Sequence, residues 1–190
     1  FHRQVRNSAD NHKYIGLKTK SYSCDNLGIS DYYLWDNFWS LAGLKSGKQI
    51  AKALNKQTLL EELSKNEQVL FENIEGFLSY TSAKTKKPSF LPISSNKLLD
   101  PRIINNLVSV YPIGILNPQS TIVSNTVSII EKRYLEKDIF FNNLEYNGFN
   151  ITQNFLLAQT YLGRQNTKLF TILKWLLENN SPTNCWPESI

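Results

Sequence analysis

The sequence predicts an all-α protein built from three helical hairpins. Three observations lead there. Apolar residues recur at three- and four-residue steps over most of the chain beyond about residue 30, the repeat of one buried helix face. No stretch alternates apolar and polar residues for more than a few positions, so no half-buried strand is expected. Helix punctuation is frequent: Asp100-Pro101, Asn117-Pro118 and Asn150 suit helix starts, while Gly163 and Asn179-Asn180-Ser181-Pro182 suit helix ends.

Residues 1–29 lack periodicity and are rich in Ser, Asn and Lys, so they read as an irregular arm, a loop or short strand. Residues 30–190 read as the domain. Ser30 or Asp31 is the expected cap of a helix from 31 to about 44, with Gly43 and Gly47 bracketing its end. A long helix is expected over 48–83. Leu59, Leu63, Leu70, Ile74, Phe77 and Leu78 form its buried stripe, and Glu61, Glu62, Lys65, Glu67, Glu72 and Glu75 its wet face. Residues 84–99, with Pro88 and Pro92, read as a loop. Asp100 caps a short helix over 101–110, and Asn117-Pro118 opens one over 119–135 that buries Ile122, Val123, Val127, Ile130 and Tyr134. Asn150 caps a helix over 151–162, with Gln153 at the reciprocal capping position. That helix is apolar nearly all round and is expected to be buried on most sides. Asn166 or Thr167 starts the last helix, over 166–178. In each pair an apolar inner helix precedes an amphipathic outer one.

The chain has 190 residues, 41% apolar and 19% charged, which fits one ordinary domain and excludes a disordered polyelectrolyte. Its apolar runs fall short of the roughly 18–20 residues of a bilayer span. A soluble chain with no membrane partner is expected, and a cytoplasmic one, since no signal sequence is visible. The sequence lacks Met and begins with Phe1, so a piece of a longer product is expected. The net charge of +5 sits mainly in His2, Arg3, Arg6, His12, Lys13, Lys18 and Lys20 and in Lys84, Lys86 and Lys87. Aromatics do not interleave with these runs and no nucleic-acid motif accompanies them, so they read as solvated surface and no nucleic-acid partner is expected. Cys24 and Cys185 are free to pair or to remain thiols. With two His, both in the basic arm, neither a metal site nor a His-activated nucleophile is expected, and no cofactor is implied.

Three segments carry chemistry. Tyr32-Tyr33-Leu34-Trp35-Asp36-Asn37-Phe38-Trp39 places a carboxylate and an amide among aromatics at an inner helix start. A sugar ring needs such a set: its C–H face stacks on an indole and its hydroxyls go to the carboxylate. The plain alternative is a core helix start with Asp36 as a cap. Asn184-Cys185-Trp186-Pro187-Glu188 sets a Trp beside a Glu, and desolvation by the indole would turn that carboxyl into a general acid. The alternative is a frayed tail. Glu145-Tyr146-Asn147-Gly148-Phe149-Asn150 offers amides and a phenol, or simply a Gly turn with an Asn cap. All three segments lie at, or just before, the N-terminal end of an inner helix. Hairpins packed around an axis would bring those ends to one face.

On these residues the chain resembles the six-hairpin glycosidases, the (α/α)6 toroids that include glucoamylase-like and trehalase-like enzymes. Trp35-Asp36-Asn37-Phe38-Trp39-Ser40-Leu41-Ala42-Gly43-Leu44 is similar to their first inner helix, where a Trp and an acidic residue line the innermost sugar subsite. Trp186-Pro187-Glu188 is similar to the Trp-then-Glu stretch that opens a later inner helix, whose Glu is the general acid in glucoamylase-like members. Trp35 stands where many of those members carry an Arg, and Pro187 separates the Trp from the Glu. The resemblance covers residues 30–190 and implies a partial toroid of about three hairpins, half of six. It implies glycosidic-bond hydrolysis by carboxylate acid/base chemistry. Glu188 is the candidate catalytic acid, and Trp35, Asp36, Trp39, Tyr146, Asn147 and Trp186 are candidate carbohydrate-binding residues. A second carboxylate, ~6.5–9.5 Å from the first in an inverting pair, has no good candidate here beyond Glu145. Part of the site is therefore expected outside this chain. Exposed apolar edges are expected to be covered by another copy or by a missing second half. The rival readings are a non-catalytic helical module whose aromatic groove binds a glycan or peptide, and, more remotely, nucleic-acid binding through the basic arm.

Overall fold

The computed structural model describes residues 17–23, 26–85, 89–144 and 147–190. His2, Arg3, Arg6, His12, Lys13, Cys24, Lys86, Lys87, Glu145 and Tyr146 lie outside the described residues, as does the side chain of Lys84. The chain divides into two compact units, one up to Leu98 and one from Leu99 to Ile190.

In the first unit β1 (Ser21–Ser23) pairs antiparallel with β2 (Asn26–Asp31). Two long helices follow, α1 (Leu34–Ala53) and α2 (Gln57–Thr85), and they form a hairpin. The turn between them passes through Asn55 in the left-handed region (φ 53°), and the Lys56 amide donates back to the Ala51 carbonyl at 2.8 Å. Phe38, Leu41, Leu44 and Ala51 of α1 are buried at three- and four-residue steps and further along, as are Leu70, Ile74, Phe77 and Leu78 of α2. Each such large side chain contributes about 1.5–3 kcal/mol by leaving water. The Lys48–Glu67 ion pair joins the two helices.

Gly43 and Gly47 do not end the first helix, contrary to the sequence expectation; both lie inside α1. At Gly47 an added Cβ would meet Leu63 Cδ1 of α2 at 3.2 Å, so the glycine serves close approach of the two helices. Asp31 is not a cap either. The N-cap of α1 is Tyr33, which makes no side-chain capping bond. Asp31 instead accepts from the Ser94 and Ser95 hydroxyls, the Asn96 amide and side chain, and the Tyr32 amide. The stripe on α2 holds from Leu70 onward, whereas Leu59 is exposed and Leu63 half-buried.

In the second unit the Asp100 cap forms as expected, accepting from the Arg102 amide at 2.9 Å. The helix it starts is a 3-10 helix, Pro101–Ser109, and every residue of it is buried. Next comes α3 (Thr121–Arg133), whose N-cap is Ser120 rather than Asn117. β3 (Leu135–Glu136) and β4 (Ile139–Phe140) form a tight hairpin through Lys137 and Asp138, both left-handed (φ 50° and 66°), the backbone a two-residue turn of this kind requires. The pair α4 (Ile151–Gly163) and α5 (Lys168–Glu178) follows. Asn150 caps α4 through the Gln153 amide at 2.9 Å, as the sequence indicates. The Gln153 side chain does not return the bond; it donates to Asn105 Oδ1 at 3.0 Å. Ile103, Ile104, Leu107, Val123, Val127, Ile130, Phe140, Leu157, Tyr161, Ile172 and Leu176 make this core.

The expectation that α4 is buried on most sides fails. Phe155 is 38% and Leu162 57% exposed, because they lie on the flank away from the buried arc of Leu157, Ala158 and Tyr161. The segment after α5 returns to the start of α4: Phe149 and Ile190 exchange two backbone hydrogen bonds (2.8 and 3.1 Å), and the Ile151 amide donates to the Glu188 carbonyl at 3.2 Å. The class is all-α, with helical hairpins and only short two-stranded pieces among the described residues. No helix among the described residues is long and apolar enough to cross a membrane.

Candidate functional site

The first turn of α1 is held from outside the helix. Its Leu34 amide donates to the Ile93 carbonyl at 3.1 Å, across from the bridge between Tyr33 and Ser94. The turn bearing Ile93 and Ser94 is fastened through Asp31. Burial raises the Asp31 pKa, but hydrogen bonds from Ser94, Ser95, Tyr32 and Asn96 outweigh it and hold the carboxyl below its ordinary value. Asn37 locks the same turn: its Nδ2 donates to the Tyr33 carbonyl (2.7 Å) and its Oδ1 accepts from the Lys18 amide (2.8 Å).

On this frame Asp36 is buried, 7% exposed, with Ser21 Oγ donating to Oδ2 at 2.7 Å and Ser23 Oγ to Oδ1 at 2.9 Å. A carboxylate oxygen accepts more than one bond, so each retains acceptor capacity. The position in the first helical turn also favours negative charge. Trp35 and Trp39 meet edge to face, centroids 5.9 Å apart at 64°. Trp39 is 40% exposed, high for a residue that holds no core. An open depression of about 480 Å³ runs along this side, lined by Lys18, Trp35, Asp36, Trp39, Ser40, Gly43 and Leu44. Residues 35, 39 and 43, and 36, 40 and 44, are at four-residue steps, so one face of α1 supplies nearly the whole wall. At Gly43 an added Cβ would meet nothing within 4 Å, which leaves that end open.

The structure thus gathers Trp35, Asp36 and Trp39 in one depression. Lys18, Ser21, Ser23, Ser40 and Gly43 escaped the sequence reading. Ser40 and Gly43 carried a signal, the four- and seven-residue steps from Asp36 along the expected helix, but they have no aromatic ring or carboxylate to single them out. Lys18, Ser21 and Ser23 carried none, since they meet α1 only through tertiary hydrogen bonds, Lys18 to Asn37 and the serines to Asp36.

The remaining candidates lie in the second unit. Trp186 is half-buried; its indole N–H donates to the Leu176 carbonyl at 2.8 Å and its ring meets Phe155 edge-on at 6.5 Å. Glu188 has its backbone paired to Ile151 and its side chain exposed, so the expected desolvation by Trp186 is not seen. Asn147 is exposed, and Tyr146 lies outside the described residues. Close by in the chain, Gln153 Oε1, Asn142 Nδ2 and Ser189 Oγ are buried without a hydrogen-bond partner among the described residues. Burial, and then the charge and hydrogen bond of Glu131, push the Tyr161 phenol far above its ordinary value. Burial also raises Tyr134, with Asp100 adding to it and Arg133 opposing. Among the described residues no three His, Cys, Asp or Glu side chains gather as a metal site, and Cys185 is an exposed free thiol.

No family model and no curated protein matches the chain. Solved structures do. One is a glycosidase with a Glu-to-Ala substitution in complex with glucose, 14% identical, with a TM-score of 0.68 over 90% of this chain and 45% of that one. Another is a glycosidase with a different Glu-to-Ala substitution, also 14% identical, with a TM-score of 0.66 over 90% of this chain and 45% of that one. The chain therefore has a glycosidase-like helical fold and spans 45% of the length of each of those glycosidases.

Proposed function

We propose that the protein is carbohydrate-active and glycoside-hydrolase-like, a part of an (α/α)6 toroid of the six-hairpin glycosidase superfamily. The observation that carries this reading is the single face of α1 that aligns two indoles and a hydrogen-bonded carboxylate along an open depression. Trp35 and Trp39 stack on the terminal sugar, and Asp36 accepts its hydroxyls. Trp186, Tyr146 and Asn147 are secondary sugar contacts. Glu188 is the general acid that protonates the departing glycosidic oxygen, and the carboxylate that activates water comes from outside these 190 residues. The likeness to a glycosidase that holds glucose supports a carbohydrate as the ligand.

The test is release of reducing sugar from a panel of glycosides by the full-length gene product. Glu188→Gln is expected to abolish release and to keep sugar binding, while Trp39→Ala weakens binding with little loss of stability. Unchanged turnover in Glu188→Gln would remove the catalytic assignment. A second reading, a non-catalytic module that holds a glycan in the same depression, is favoured by the exposure of Glu188. It expects sugar binding with no hydrolysis of any substrate.

A further inference from the structure

The wall of the depression includes a lysine that forms no ion pair among the described residues. Lys18 has its backbone pinned to the first turn of α1, its amide donating to Asn37 Oδ1 at 2.8 Å, and Asn37 is only 1% exposed. Lys18 lines the depression with Trp35, Asp36 and Trp39. Several other lysines are engaged: Lys48 with Glu67, Lys168 with Glu131, Lys174 with Glu178, and Lys20 over the Tyr32 ring at 5.6 Å. Lys18 makes no ion pair with any described residue. Asp36 lines the same depression but is not within ion-pairing distance of Lys18; its two oxygens accept from the Ser21 and Ser23 hydroxyls.

We propose that the depression takes an anionic sugar, a ring carrying a carboxylate or phosphate group, with Lys18 as the residue that selects the charge. This rests on the reading of the depression as a sugar site and adds the class of sugar. The chemistry divides along the wall. The indoles take the ring face, Asp36 takes neutral hydroxyls, and the Lys18 ammonium supplies three donors and a full charge to the anionic substituent. Apolar walls on one side strengthen that attraction over what the same charge achieves on an open surface. The N-terminal end of α1 adds a field of the same sign.

The experiment titrates the 190-residue protein with glucose, glucuronate and glucose 6-phosphate, following tryptophan fluorescence at low and high salt, with circular dichroism to verify the fold of each variant. The expected result is binding of both anions at least about fivefold tighter than glucose at low salt, a gap that narrows as salt rises. Lys18→Gln is expected to bring the anion-to-glucose ratio close to one, and Lys18→Arg to keep it. Equal binding of glucose and glucuronate by the wild-type protein would overturn the inference and leave the sugar site standing. So would a ratio unchanged in Lys18→Gln, which would make Lys18 a support for Asp36. Binding of none of the three sugars would overturn the sugar-site reading, and this inference with it.

Discussion

Asn154 in α4 pairs with Phe140 in β4 as one strand pairs with another. Its Oδ1 accepts from the Phe140 amide at 2.9 Å and its Nδ2 donates to the Phe140 carbonyl at 3.0 Å, with both residues 0% exposed. The same Nδ2 also reaches the Asn150 carbonyl at 2.9 Å. One amide thus completes the β3–β4 hairpin and ties it to the helix. Asn154→Ala strands a buried backbone donor and acceptor, each costing about 1–3 kcal/mol. A loss of about 2–4 kcal/mol is expected in urea unfolding, and a loss below about 1 kcal/mol would contradict this role.

Asp31 makes stability depend on pH in a defined direction. Its folded-state pKa lies below the ordinary 3.8, so its contribution is complete above that value and disappears as pH falls through the lower folded value. Asp31→Asn is expected to destabilise at neutral pH by about 2–4 kcal/mol, since several charge-assisted bonds are lost at once. The gap between variant and wild type narrows below about pH 4 as Asp31 itself takes up a proton. Urea midpoints measured down the pH scale check this; a gap that stays constant or widens in acid would be the wrong sign.

Asp100 and Arg102 are a buried ion pair at the start of the 3-10 helix, Nη2 to Oδ2 2.7 Å, with the residues 8% and 6% exposed. Arg102→Met leaves the carboxylate buried without its cation and is expected to cost about 3–5 kcal/mol. Adding Asp100→Asn recovers part of that loss. Thermal unfolding of the single and double variants makes the comparison, and a double variant less stable than Arg102→Met would argue against the pairing as the source of the effect.

How much of this was legible in the sequence follows from how far away the partners lie. Asn150 and Asp100 cap helices as expected because a cap is satisfied within three residues. The α4–α5 hairpin lies where its periodicity put it, within about two residues. Asp31 looked like a cap because its true partners, Ser94 to Asn96, are more than sixty residues away. The end of α1 was misjudged because Gly47 faces Leu63, a contact local propensity does not contain. Trp35, Asp36 and Trp39 were recognisable as a set because one helix face carries all three. Lys18 and the two serines that hold Asp36 come from another element, and no local pattern announced them.

Gly148 sets the position of the C-terminal segment that carries Glu188. A Cβ there would collide with Ser189 Oγ and stand 3.0 Å from the Ile190 carbonyl oxygen. Gly148→Val is expected to loosen the Phe149–Ile190 pairing, to speed amide exchange at Phe149 and Ile190, and to leave α3 unaffected. Unchanged exchange at those two amides would show that the segment tolerates the added atoms.

The bond from the Leu34 amide to the Ile93 carbonyl bears on the order in which the molecule assembles. The helix that carries the aromatic face does not own its beginning, since neither Tyr33 nor a neighbouring side chain caps it. Its first turn is completed by a residue synthesised only after α1 and all of α2. The face with Trp35 and Asp36 is therefore a late product of folding, in place only when the chain around Ile93 has closed a long loop back onto it.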